Sequence, residues 1–311
     1  MATYVTGTTG ATTPAETIRL ALRTPMVAAG FTLVETWTYS TTHSFDIYLS
    51  PGGSNAIGTD WYLAIGWATA AATSLAVRLF EQWDATNKKA IKYAPSATSV
   101  PASDGSVNDG TGLLLNDAGL FQAAGGGSIA VSSITYYSNI TIDRVLFALS
   151  SPGVYYFGTY DRLLSSADDP MPLAILLIGS VATQQIIYGA ATRELKNAGA
   201  NAYNFFVQAG YGALLAAAYS TQGASLAENV FMPGDHLAAD SIYFSGAYPV
   251  GRPIIHPSRS PSITNRGVCK PGLYIAGGVA GVAGDTMTVT KADGTTQACV
   301  WVNNYMYLAT S

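Results

Sequence analysis

The sequence predicts a mainly β protein: one or two β-sandwich-like modules with an N-terminal helix and long loops. Three observations carry this. Runs rich in Thr, Val, Tyr and Trp recur from residue 31 onward, and several alternate in polarity. Turn pairs such as Asp104-Gly105, Asp109-Gly110 and Asp293-Gly294 punctuate the chain. The clearest helical period is confined to a short segment near the N-terminus.

That segment covers residues 14–23. Thr13 is placed to cap it, Pro14 suits a first turn, Glu16 complements the positive end of the helix, and Ile18 and Leu22 share a face. Pro25 and Gly30 are expected to end it. Strands follow at 31–39, 45–49, 61–67 and 75–83, with Pro51-Gly-Gly-Ser54 as a turn. In the last of these, Ala76, Arg78, Phe80 and Gln82 fall on one face and Leu75, Val77, Leu79 and Glu81 on the other.

Residues 84–127 read as a long loop holding Pro95, Pro101 and Gly125-Gly-Gly127. Strands resume at 129–137, 140–148, 154–157 and 173–178, the last two separated by a polar loop at 163–172. Residues 188–219 are rich in Ala and Leu with few β-branched side chains and read as helical in pieces. Residues 246–271 are rich in Pro, Ser and Arg and read as an extended crossing arm rather than a packed element. The C-terminal part gives a strand at 285–291, a turn at Asp293-Gly294, a strand at 295–302 and a final strand at 305–308. The domain division is therefore 1–150, the helix plus a β module, and 151–311, a second β-rich module with the arm and a C-terminal hairpin. No fixed-period repeat is visible, which disfavours a propeller or solenoid.

Only 11% of the chain is Asp, Glu, Lys or Arg, while 49% is hydrophobic. Soluble domains carry about 25% charge, which keeps surfaces hydrated and apart. So little charge suits lipid or an assembly in which neighbouring subunits cover much of each surface. The most apolar stretch, residues 172–182, falls short of the roughly 20 residues a membrane helix needs. It reads as a core strand, and no membrane span is expected. A net charge of −4 argues against direct nucleic-acid binding. The first ten residues show no basic leader or apolar segment, so folding in the cytoplasm is expected. Cys269 and Cys299 can pair if adjacent strands bring them together, but two reduced, buried thiols fit that compartment better. Two Cys and three His specify no zinc site, and neither metal nor cofactor is expected.

Catalytic candidates are weak. Asp235, His236 and Asp240 place a histidine between carboxylates, yet no nucleophile or ligand pair lies at a recognisable spacing. Asp168-Asp169 lacks the surrounding oxygen ligands of a calcium loop. Gly125–Gly127 and the glycines at 277–284 lack the Lys-Ser/Thr of a phosphate loop. The chain is therefore read as non-enzymatic. Trp61, Trp67 and Trp83 are packing or interface aromatics, with sugar stacking as the alternative. Between Asp240 and Asp285 there is no acidic residue, while Arg252, Arg259, Arg266 and Lys270 fall there with His256. Such a basic stretch in an acidic protein is a candidate docking element for an acidic partner, or else a solvated loop.

Several segments resemble a group of tailed-bacteriophage virion structural proteins. They are Gly30-Phe-Thr-Leu-Val-Glu-Thr36, Phe45-Asp-Ile-Tyr-Leu-Ser-Pro-Gly-Gly53, Gly58-Thr-Asp-Trp-Tyr-Leu-Ala-Ile-Gly66, Arg144-Val-Leu-Phe-Ala148 and Tyr155-Tyr-Phe-Gly-Thr-Tyr160, together with the closing hairpin. The Ala-rich stretch 188–219 and the arm depart from that group's pattern. The resemblance implies a multi-copy subunit of a virion, in tail, neck or baseplate, assembled in host cytoplasm with copies of itself and other virion proteins, with no catalytic residues. The alternatives are a tail-tip receptor- or carbohydrate-binding module and a capsid decoration protein.

Overall fold

Strand β1 (Thr3–Thr8) and helix α1 (Pro14–Ala28) open the structure. It is a computed structural model that describes residues 2–9, 13–40, 43–67, 75–93, 113–114, 121–122, 133, 135–149, 153–162, 172–181, 184–192, 205–208, 242–245, 248–251, 254–257, 267–276, 282–291, 293–303 and 306–310. Strands β2 (Thr32–Ser40), β3 (His43–Ser50), β4 (Trp61–Trp67), β5 (Leu75–Asp84), β6 (Lys89–Tyr93), β7 (Leu113–Leu114) and β8 (Phe121–Gln122) form one seven-stranded sheet. Next come β9 (Thr135–Thr141), β10 (Arg144–Leu149), β11 (Gly153–Arg162), β12 (Leu173–Val181), β13 (Gln184–Thr192) and β14 (Phe205–Gln208). After β15 (Ile242–Ser245) and β16 (Tyr248–Gly251) run β17 (Ile254–Pro257), β18 (Gly267–Cys269) and β19 (Leu273–Ala276). The series ends with β20 (Thr286–Lys291), β21 (Thr296–Asn303) and β22 (Met306–Ala309).

A nine-stranded sheet runs β1-β9-β10-β11-β18-β17-β14, with β12 on β11 and β13 on β12. Strands β15-β16-β19-β22-β21-β20 close into a small barrel. The nine-stranded sheet lies between the other two. On β10, Val145, Phe147 and Leu149 face the seven-stranded sheet, while Leu146 and Ala148 pack with Leu273, Val300, Val302 and Leu308 of the barrel. On β11 the same division puts Tyr155 and Phe157 on the first face and Val154, Tyr156 and Tyr160 on the second. Both faces are buried, so residues 145–149 and 154–157 of these strands are hydrophobic or aromatic without a break.

Helix α1 packs against β1, β2, β4 and β9, and β5 meets β12 on the other side. The helix therefore fills the open side of a sandwich. Ala15, Ile18, Leu22 and Met26 enter the shared core with Trp61, Leu63, Ile65, Val77 and Leu79. These follow the helical and strand periods, one on each partner.

The mainly β class holds, and several details differ from expectation. The helix runs on to Ala28 with Pro25 inside it; Pro25 and Met26 are buried, and the Ala29 N–H donates to the Pro25 and Met26 carbonyls. Burial of that turn outweighs the lost hydrogen bond of proline. Thr13 does not cap through its side chain: it is left-handed at φ 48°, and its carbonyl accepts from the Thr17 N–H and hydroxyl. The run 140–148 is broken by a two-residue turn at Ile142 and Asp143, after which Arg144 pairs with Thr141. Residues 188–192 are strand, as part of β13 on β12, because a sheet partner overrides a helix-favouring composition. Within 193–219, only 205–208 are described, and they are strand β14. The 84–127 stretch contains β6 on β5.

Residues 246–271 do cross, from the barrel to the nine-stranded sheet. They do so as ladder strands, β16 on β15 and β19, then β17 and β18 on one another and on β14 and β11. The expectation of an unpacked arm is corrected for these strands, whose backbone groups are paired within their own chain. The boundary drawn at residue 150 falls between the paired strands β10 and β11, so both halves share one sheet.

Candidate functional site

Most chemical candidates from the sequence, Asp168, Asp169, Asp235, His236, Asp240 and Gly125–Gly127, lie outside the described residues, as do Arg252, Arg259 and Arg266. Among the described residues no group of three His, Cys, Asp or Glu could hold a metal, and no helix is long and apolar enough to cross a membrane. Cys269 and Cys299 are buried thiols that form no disulfide. Lys270 is half-buried at the β18–β19 turn, where its Nζ contacts Asp161 Oδ1 at 2.6 Å and its N–H donates to Tyr156 Oη at 3.0 Å. Its charge is thus engaged within its own chain.

The tryptophans divide by depth. Trp61 is fully buried, edge-on to Phe31 at 5.6 Å between centroids. Trp67 is buried beneath the Arg19 guanidinium at 5.0 Å. Trp83 is half-buried and donates from Nε1 to Glu35 Oε2 at 3.1 Å, while Lys88 pairs with the other Glu35 oxygen and lies 5.4 Å from the Trp37 ring. Trp37, Tyr62 and Trp83 all pack against the outer-face cluster of the seven-stranded sheet.

Two buried charge clusters escaped the sequence reading. In the first, Asp46 of β3 sits under α1, fully buried. Arg19 Nη1 reaches its Oδ1 at 2.5 Å, Arg23 Nε its Oδ2 at 2.6 Å and Arg23 Nη2 its Oδ1 at 2.7 Å. Thr36 Oγ1 adds a bond at 3.0 Å and Tyr48 Oη another at 3.3 Å. Burial pushes the Asp46 carboxyl up, but the Arg23 hydrogen bonds, the Arg19 charge and the Thr36 hydroxyl outweigh it and hold the group below its ordinary value. Burial beside that carboxylate pushes the Tyr48 phenol well up. The i, i+4 spacing of Arg19 and Arg23, next to Ile18 and Leu22, was the available signal.

In the second, Arg144 opens β10 and is buried; its hydrogen-bond partners are all neutral oxygens, while the Asp143 carboxylate next to it in sequence acts on it through space. Nε and Nη2 donate to Pro271 O at 2.8 and 2.6 Å, and Nη1 and Nη2 donate to Asn139 O and Oδ1 at 2.6 Å each. Asn139 in turn donates to Ala309 O at 2.8 Å, so these two side chains join the nine-stranded sheet to the β18–β19 turn and to β22 of the barrel. Burial lowers the guanidinium to about 10, above neutrality, so it stays charged. Gly272 has φ +123°, and a Cβ there would overlap the guanidinium. No glycine or Asp-Gly pair at 142–143 marks this hairpin in the sequence.

The third feature is a surface. The most exposed residues of α1 are Leu20, Thr24, Val27 and Ala28, with Leu20 45% and Val27 53% exposed, and the partly exposed Glu16 and Arg23 lie on the same stripe. Beside it runs β2, the end strand of its sheet, with Leu33 and Val34 exposed and a bulge at Val34. Four of the five exposed large hydrophobics among the described residues gather on these two elements. No protein-family model matches this chain, and no curated protein does.

Proposed function

We propose that this chain is a non-enzymatic, multi-copy structural subunit of a tailed-bacteriophage virion, in its tail, neck or baseplate, acting through contacts with copies of itself and other virion proteins. The observation that carries the reading is the apolar exposure shared by α1, at Leu20 and Val27, and the β2 edge, at Leu33 and Val34. Apolar exposure of this kind beside a sheet edge marks a contact surface. The 11% charge of the whole chain and the segment resemblances to virion proteins support it. Sedimentation at micromolar concentration tests it: the purified chain forms rings or larger assemblies, and Leu20→Lys with Val27→Glu shifts it to monomer while the far-ultraviolet spectrum stays unchanged. A wild-type monomer that remains one when concentrated overturns the reading.

The rival is a tail-tip carbohydrate-binding module. Trp61 and Trp67 are enclosed in the core, so a sugar platform would fall to the half-buried Trp37, Tyr62 and Trp83. Glycan binding by a folded monomer, lost on Trp83→Ala, is the result that promotes it.

A further inference from the structure

Strand β1 forms one end of the nine-stranded sheet, yet none of Thr3–Thr8 is buried. The strand is held by its ladder to β9, by the Thr6 hydroxyl donating to Tyr136 O at 2.9 Å, and by the Ser138 hydroxyl donating to Val5 O at 3.1 Å. Tyr4, partly buried, packs against the core shared with the barrel. A strand tied mainly by backbone bonds can leave its sheet without emptying a core site. Its fit to β9 is nonetheless specific. Gly7 lies opposite Tyr136, whose Oη is 2.6 Å from where a Cβ on Gly7 would stand, so the phenol fills the space the glycine leaves. That key selects β9 as the partner, on its own chain or on another copy. The link of residues 9–13 ends on Thr13, which is held at φ 48° directly before Pro14. A β-branched residue in the left-handed region is strained, and a short strained link favours handing its strand to a neighbour, where the same contacts form with the link relaxed.

We infer that β1 is exchanged between copies, the β1 of one chain seating on the β9 of a second copy of this chain. The inference rests on the reading of the chain as a multi-copy subunit and names one bond between the copies. Helix α1 packs against β1 and β9 as well as β2, so the exchange and the exposed apolar surface belong to the same side of the sandwich.

Thr8 and Thr135 are exposed and directly opposed in the ladder, which supplies the test. Two differently tagged full-length chains, one with Thr8→Cys and the other with Thr135→Cys, are co-expressed, oxidised in air and run on a gel without reductant. Exchange gives a disulfide-linked dimer carrying both tags, because a strand seated on the other chain brings the two thiols together. Gly7→Val in the first chain abolishes that dimer, and Thr13→Gly, which relieves the link, lowers it about fivefold or more. Sedimentation of the wild-type chain is run alongside. Assemblies without the mixed dimer overturn the exchange and leave the multi-copy reading standing, whereas a monomer without the mixed dimer overturns both. A mixed dimer that survives Gly7→Val, or is unchanged by Thr13→Gly, also overturns the exchange.

Discussion

Tyr155 and Tyr156 are neighbours on β11, equally buried, and opposite in their hydrogen bonding. Tyr156 Oη donates to Thr159 O and accepts from the Lys270 N–H, whereas Tyr155 Oη has no partner. Alternation along the strand sends one hydroxyl toward the barrel turn and the other into the apolar core. Tyr155→Phe should therefore raise stability by about 1 kcal/mol, because it removes a desolvated, unpaired hydroxyl. Tyr156→Phe should cost about 1–3 kcal/mol, since it strands the Lys270 N–H and the Thr159 carbonyl. Denaturant midpoints for the pair decide this, and a loss on Tyr155→Phe as large as that on Tyr156→Phe sinks the argument.

Asp46→Asn should cost about 3–5 kcal/mol, because it leaves Arg19 buried without its partner. Arg23→Gln should cost less, about 1 kcal/mol, since that side chain is 34% exposed. The folded-state carboxyl titrates below its ordinary value of 3.8, so its contribution is complete above that value and is lost as pH falls through the folded-state value. Wild-type stability should drop steeply in that acid window, and Asp46→Asn should flatten the drop. Urea unfolding as a function of pH reads both.

Arg144→Met should cost about 3–5 kcal/mol by stranding the Pro271 and Asn139 oxygens it satisfies. Gly272→Ala should cost about 1–3 kcal/mol or more, from strain at positive φ plus overlap with the guanidinium. The two residues share one contact, so their losses should be less than additive in a double-mutant cycle. Full additivity would show that the turn does not press on the arginine.

Trp61→Ala should lose about 3–5 kcal/mol, the cost of emptying an aromatic site in a core. Trp83→Ala, half-buried, should lose less. Neither should show a selective sugar-binding defect if both serve packing. Thermal unfolding combined with a glycan-binding screen separates the two outcomes.

What the sequence made legible is what is encoded locally. Strand β4 was read with its observed bounds because Trp61, Leu63, Ile65 and Trp67 fill one face. The Asp293-Gly294 turn was plain because Gly294 takes φ +81°, which few other residues tolerate. The Ile142-Asp143 turn was hidden because Ile142 is β-branched and Asp143 is followed by Arg144 rather than glycine, so β9 and β10 looked continuous. Strand β13 was hidden because Ala and Gly favour no ladder, and its partner β12 decides the matter. The Asp46 cluster joins residues of α1, β2 and β3, and the Arg144 cage joins residues 127 apart in sequence. Proximity of that kind exists only after folding, though the Arg19 and Arg23 spacing hinted at the first cluster.

Strand β1 draws its partner from far along the chain: the Thr6 hydroxyl donates to Tyr136 O, 130 residues on. During synthesis at about 5–20 residues per second, β1 and the apolar face of α1 wait on the order of ten seconds before β9 exists to receive them. The helix can form in that interval but has no complete seat, since its core is shared between two sheets. Closure of the sandwich is thus a late event with a large loop entropy to overcome. Many nascent copies on neighbouring ribosomes would expose the same edges at once, so expression slowed by cold, or a holdase chaperone, should raise the soluble yield more than any stabilising substitution in the finished core.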